Sequence, residues 1–190
     1  MCLCIGPIKS GKTTLMKRLQ DGELNEASQT VPTNGINLFT IRSADGHFDI
    51  VVKEVGGSMA PMWNNYFNRV SKIIYVIDAS NLCQISAAGV LLYSLVVEPK
   101  LNQVKIALVL GKMDLSYRQM RNEALLMIHF ARLKREVHQK ITVIEVSGVN
   151  GEGVETLRDW IFDSDTLKAV GSSGNAAAAA NADAVLPQKK

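Results

Sequence analysis

Long apolar runs are missing from this chain. Nowhere do the eighteen or so consecutive apolar residues of a membrane-crossing helix occur, so no transmembrane span is expected. Cysteine is scarce: Cys2, Cys4 and Cys83 make an odd number without metal-ligand spacing, and buried, reduced thiols of a cytosolic protein are the expectation. An excess of one charge is missing too. Against 18 Asp and Glu stand 21 Lys and Arg, scattered through the chain, and a formal net charge of +3 gives no electrostatic case for a nucleic acid partner. Residue 2 is cysteine rather than glycine, so N-myristoylation is not expected, and neither is a signal peptide before the first apolar run. Cys2 reads as a strand residue rather than a lipid anchor. A cytoplasmic location follows as an expectation.

What the 190 residues do have is 47% apolar content with 21% charged, enough for one domain with a real core. They also have Gly6-Pro7-Ile8-Lys9-Ser10-Gly11-Lys12-Thr13, the spacing G-x-x-x-x-G-K-[ST] of a phosphate-binding loop. Its setting supports the motif. Met1-Cys2-Leu3-Cys4-Ile5 reads as a short buried strand entering the loop, and Thr13 to Leu19 as an amphipathic helix leaving it. Glycines let the backbone wrap closely around phosphate oxygens, successive N–H groups and the helix N-terminus point at the anion, and the Lys12 ammonium reaches the outer phosphates. The Thr13 hydroxyl then serves Mg²⁺. A glycine turn with an ordinary surface lysine is the plainer alternative.

Residues 21–30 read as a polar loop. Ile36 to Ile41 and Phe48 to Val52 flank Ser43-Ala44-Asp45-Gly46, a hairpin signal. The second of these strands runs on into Lys53-Glu54-Val55-Gly56-Gly57, which puts a carboxylate and a paired-glycine turn at its end. Pro61 to Phe67 is expected as a short helix beside the site. Lys72 to Asp78 and Val104 to Leu110 have the pattern of parallel strands covered on both faces. Leu82 to Val97 is expected as a helix with Leu91, Leu92, Leu95 and Val96 inward, stopped by Pro99. Residues 117–138 read as the longest helix, with Leu125, Ile128, Phe130 and Leu133 inward. A last strand over Ile141 to Val146 and a final helix through Leu157, Trp160 and Ile161 close the domain. Alternating strands and helices indicate a three-layer α/β domain with a mainly parallel sheet and one antiparallel edge hairpin. Ligands bind such sheets at the strand carboxyl ends, where the phosphate loop, Glu54 and the segments after Leu110 and Val146 converge.

Taken together, the phosphate loop, Pro32-Thr33 with Gly35 and Asn37, Glu54-Val55-Gly56-Gly57, Lys112-Met113-Asp114 and Ser147 resemble the ordered motifs of small GTPases. Pro61-x-Trp63-x-x-Tyr66-Phe67 after the double glycine looks like the ADP-ribosylation-factor-like (Arf-like) branch. The resemblance implies a P-loop NTPase fold of the small GTPase type over residues 1–165, followed by a low-complexity tail, expected to be disordered, over 166–190. It implies GTP or GDP with Mg²⁺ as ligands. Gly6, Lys9, Ser10, Gly11, Lys12, Thr13 and Thr14 would contact phosphates, with Thr33 and the Gly57 N–H at the γ-phosphate. Lys112 and Asp114 would hold the guanine, and Ser147 and Gly148 would meet it through the backbone. Thr13, Thr33 and Glu54 would serve the metal, with glutamate where the family usually has aspartate.

Two departures temper the activity. Ser58 stands where the family usually has a water-orienting glutamine, so intrinsic hydrolysis is expected to be weak, with no catalytic residue to name. Gly111 stands where it usually has an asparagine that braces the phosphate loop. A nucleotide-dependent switch read by effectors at Thr33 to Val52 and at the helix after Gly57, with a GTPase-activating protein and an exchange factor as candidate partners, is the first reading. A GTP-binding interaction module that hydrolyses little is the second, and a phosphate-loop nucleotide kinase the third. In isolation, Thr33 reads equally as a turn cap and Asp114 as a helix-start residue.

Overall fold

Every residue of β1 (Cys2–Ile5) is buried, because a central strand carries helices on both faces and leaves no side for polar residues. The chain turns through the phosphate loop into α1 (Lys12–Asp21), whose cap residue Gly11 has φ 89° and brings no side chain to the helix N-terminus. The first amides of α1 are therefore left without a side-chain cap. The computed structural model describes residues 1–24, 31–116 and 118–163. Residues 25–30 of the expected loop, Tyr117 and the tail expected over 166–190 lie outside them.

β2 (Ile36–Arg42) and β3 (Asp49–Val55) pair antiparallel, with Asn37 opposite Glu54. The turn between them is the expected one: Ser43 N–H donates to the Phe48 carbonyl at 2.8 Å and Gly46 N–H to that of Ser43 at 2.9 Å. β4 (Lys72–Asp78), α2 (Leu82–Val96) and β5 (Lys105–Gly111) follow. Then come α3 (Arg118–Met127), α4 (Phe130–Glu136), β6 (Ile141–Glu145) and α5 (Val154–Phe162). The six strands lie in the order β2-β3-β1-β4-β5-β6, parallel except for the β2–β3 edge hairpin. This is the doubly covered, mainly parallel sheet that the sequence predicts.

Strand alternation divides the core in two. Ile73, Tyr75 and Ile77 of β4 face α2, Ile128 and Leu133, while Ile74 and Val76 face α1 and α5. Cys2 and Cys4 share this second face, as their spacing requires. At the lower edge of the sheet the buried Lys72 ammonium donates to the carbonyls of Trp160 and Ile161 at 2.8 and 3.0 Å, satisfying the end of α5. The N-terminal ammonium of Met1 meets Ser71 Oγ at that same edge, at 3.3 Å. Among the described residues no helix is long and apolar enough to cross a membrane.

Three expectations need correction. The single helix over 117–138 is broken at His129, which adopts φ 50° and caps a new helix. Ile128 and Leu133 both enter the core, yet positions five apart are turned about 140° from each other on a continuous helix. The break brings both to one face, and α2, not this segment, is the longest described helix. The short helix after the double glycine is a 3-10 segment (Gly57–Tyr66) containing Pro61; it buries Trp63 and, just past its end, Phe67. Trp63 donates from Nε1 to the Gly56 carbonyl at 3.2 Å and meets Tyr75 edge-on. Finally, Cys83 is exposed, at the outward side of the first turn of α2, while Cys2 and Cys4 are buried.

Burial pushes the Cys2 thiol up to about 12 and Cys4 well above the ordinary thiol range. Both thus keep their protons in the fold, whereas the unfolded chain releases them as pH rises past the ordinary thiol value of 9.0. Stability contributed by these groups is therefore present below that pH and falls above it. Iodoacetamide at pH 8 should alkylate one thiol of the native protein, at Cys83, and all three after unfolding, as read by peptide mass spectrometry.

Candidate functional site

Lys12 has a long, flexible side chain but only 5% of its surface exposed. Its ammonium donates to the carbonyls of Gly6 at 3.0 Å and Pro7 at 2.7 Å, with Ser10 Oγ at 3.4 Å. The phosphate loop is thus wrapped around its own lysine. Desolvation pushes the Lys12 ammonium below the ordinary lysine range, opposed by the field of Cys4 and Glu54. An anion delivered to the loop would relieve that cost.

Glu54, near the end of β3, is fully buried. A carboxylate there must find donors. Thr13 donates to Oε1 at 2.6 Å and Asn37, its cross-strand partner, donates to Oε2 at 3.1 Å. Thr33 closes the group, its hydroxyl 3.0 Å from that of Thr13 and 3.5 Å from Asn37 Nδ2. Thr13, Thr33 and Glu54 come from α1, a loop and β3, and their oxygens meet at one point. Among the described residues there is no cluster of three or more His, Cys, Asp and Glu side chains. The donor set here is instead two hydroxyls and one carboxylate, hard oxygens of the kind Mg²⁺ takes beside phosphate.

The paired glycines allow this convergence by close approach. A Cβ at Gly56 would lie 2.1 Å from the Thr33 carbonyl oxygen, and one at Gly57 would lie 2.4 Å from the Ile8 nitrogen. Residues 31–35, the phosphate loop and the start of the 3-10 segment therefore touch backbone to backbone.

Two cavities open along this junction. The first, about 430 Å³, is lined by the loop from Ile8 to Thr14 and by Thr33, Glu54, Gly57, Ser58 and Lys112. The second, about 240 Å³, is lined by Asp114, Gly148, Val149 and Leu115, and shares Ser10, Gly11, Thr14 and Lys112 with the first. Asp114 accepts a hydrogen bond from the Ser147 hydroxyl at 2.6 Å. The Ser147 amide donates to the Glu152 carbonyl at 2.9 Å, so this residue orients Asp114 and is itself buried outside both cavities. Gly6 likewise stands behind the loop as an acceptor for Lys12. Of the remaining residues singled out by the sequence, Lys9, Ser10, Gly11, Lys12, Thr13, Thr14, Thr33, Glu54, Gly57, Lys112, Asp114 and Gly148 all line one cavity or both.

Sequence reasoning passed over Asp78 and gave Asn37 no role. Asp78 ends β4, at the carboxyl edge where functional residues gather, and its Oδ2 accepts from Lys112 Nζ at 2.6 Å. Asn37 is recognisable only once the β2–β3 register places it across from Glu54. Ser58 lies at the mouth of the first cavity, its hydroxyl 3.4 Å from Asn34 Oδ1.

Comparison with known proteins bears on the family and the fold. The chain is 32% identical to human (Homo sapiens) ADP-ribosylation factor-like protein 16 over 168 residues, covering 85% of this chain and 84% of that one. It is 29% identical to ADP-ribosylation factor 3 of Arabidopsis thaliana, with 87% of each chain covered. Among solved structures, the Arl6 BBS3 small GTPase from Trypanosoma brucei, determined with the nucleotide analogue GppNp, superposes with a TM-score of 0.73 at 18% identity, covering 87% of this chain and 97% of that one. That likeness is one of fold. The ADP-ribosylation factor family matches residues 1–165, and the chain belongs to that family.

Proposed function

We propose that this protein binds GTP and GDP with Mg²⁺ and acts as a nucleotide-dependent switch with weak intrinsic hydrolysis. One observation carries the reading: two cavities joined at Gly11 and Lys112, one walled by a phosphate loop and the other carrying a carboxylate. A nucleoside polyphosphate has that division. Its phosphates would lie on the amides of the loop and the uncapped N-terminus of α1, with the Lys12 ammonium at the outer oxygens. The purine would lie over the stem of Lys112 and donate to Asp114, held in place by Ser147. Guanine offers two adjacent donors to a carboxylate, while adenine presents no matching pair.

Thr13, Thr33 and Glu54 would hold the Mg²⁺, which when bound neutralises charge between the two outer phosphates. Glu54 is oriented for this by Asn37. The Thr33 hydroxyl and the Gly57 N–H would sense the γ-phosphate, and loss of that group would release both segments. The outward face between them suits an effector: Ile36, Leu38 and Val51 are exposed along the β2–β3 hairpin, with Met62 on the adjoining 3-10 segment. Membership of the ADP-ribosylation factor family speaks against the kinase alternative.

A second reading, a binding module that hydrolyses little, is favoured by Ser58. Its hydroxyl stops short of where a longer amide would order the attacking water, and it contacts Asn34 instead.

A thermal-shift titration separates guanine from adenine recognition. GTP with Mg²⁺ at a hundred times its Kd should stabilise the protein by about 2.7 kcal/mol, roughly 5–10 °C in Tm, while ATP at the same concentration should do far less. Lys12→Ala should abolish the GTP shift, and Asp114→Asn should weaken GTP binding about tenfold to hundredfold. An equal response to ATP and GTP in the wild type would refute base recognition by Asp114. Single-turnover phosphate release should be slow in the wild type and about tenfold or more faster in Ser58→Gln. Rapid release without a partner would overturn the assignment of weak hydrolysis.

A further inference from the structure

Gly111 ends β5 and brings no side chain to the junction between the purine end of the cleft and the phosphate loop. The space beside it is narrow. A Cβ there would lie 3.1 Å from the Ile77 carbonyl oxygen and 3.3 Å from that of Ser10. The next residue supplies the tie instead. The Lys112 side chain crosses the phosphate loop, its Cε 3.8 Å and Cγ 4.0 Å from where a Cβ on Gly11 would stand, and it lines both cavities. Beyond Gly11 its ammonium reaches Asp78 Oδ2 at 2.6 Å.

Asp78 is equipped for this grip. It is 7% exposed, and its other oxygen, Oδ1, accepts from the Ser80 amide at 3.0 Å and the Ser80 hydroxyl at 2.6 Å. With both oxygens engaged, the carboxylate is fixed in position and the ammonium must come to it. Lys112 meanwhile adopts φ 59°, a left-handed conformation that a side chain other than glycine holds only when its surroundings enforce it. It is also the cap residue of the short turn Met113–Leu115 that carries Asp114. Where Lys112 is held therefore sets where Asp114 stands.

We infer that Asp78 is a positioning residue for the purine end of the cleft: by gripping Lys112 across Gly11, it sets the span between the phosphate loop and Asp114. Asp78 lines neither cavity, so it acts through Lys112 rather than by touching ligand. The inference rests on the nucleotide-binding reading above and adds a residue to it. It also specifies how affinity depends on that residue. A span set wrongly weakens every guanine nucleotide by one factor, whatever its phosphate count. Freeing the charge of Lys112, by contrast, would favour GTP over GDP, because the extra phosphate carries more charge.

The test measures dissociation constants of fluorescent GDP and GTP derivatives for full-length wild type, Asp78→Asn, Lys112→Met and the double variant. Asp78→Asn should weaken GDP and GTP about tenfold each, equal within about twofold, and should add little in the Lys112→Met background. Unchanged affinity in Asp78→Asn, a selective effect on GTP, or the same tenfold loss on top of Lys112→Met would each overturn the inference. Should Asp78→Asn not remain folded by circular dichroism, Ser80→Ala takes its place, since it removes one donor that orients Asp78. There an equal loss of about threefold for GDP and GTP is expected, and no loss overturns the proposal. Wild-type protein that binds neither nucleotide would defeat the nucleotide-binding reading itself, whereas wild-type binding with an inert Asp78 defeats only this addition.

Discussion

A carboxylate with no exposed surface cannot stand alone, and the demand of Glu54 for donors organises this molecule. It sits near the end of β3, and the donors that meet it, Thr13 and Asn37, come from α1 and β2. Breaking one such hydrogen bond while the charge stays buried would cost about 1–3 kcal/mol or more. That penalty ties the phosphate loop's helix, the edge hairpin and the loop bearing Thr33 to one another. A leucine at position 54 would satisfy the core equally well, yet it would leave those three pieces without a common anchor.

The two glycines after Glu54 extend the same logic from side chains to backbone. They let residues 31–35 and the phosphate loop close to contact distance, so a change at one is felt at the others. The segment at residues 31–35 is held differently from the rest. Val31 and Pro32 are exposed, and Thr33 is retained by hydroxyl contacts rather than by apolar burial. Segments secured in that manner open at low free-energy cost.

Much of this was legible in the sequence because it is local. The phosphate loop, the Asp45-Gly46 turn and the β-branched runs of β4 and β5 each declare themselves within a dozen residues. What escaped depends on distance along the chain or on small angular offsets. The helix break at His129 turns on whether Leu133 lies on the same face as Ile128, a matter of one residue in register. The pairing of Asp78 with Lys112 joins positions 34 apart, and no periodicity announces it. The sequence expects Ser147 to offer its backbone to the base, yet its amide is engaged with the Glu152 carbonyl and its hydroxyl donates to Asp114. The exposure of Cys83 follows from which side of α2 it occupies, and an apolar helix conceals that until it is packed.

The anchoring of Met1 at Ser71 and of the end of α5 at Lys72 puts both extremities of the described fold beside the start of β4. The seven residues of β4 then span about 23 Å to the rim where the cleft opens. Suspended by either extremity from a bead, a vesicle or a larger assembly, the molecule would turn its cleft away from the support. Whatever exchanges there would approach from open solution, and the point of attachment would carry the load without obstructing the mouth.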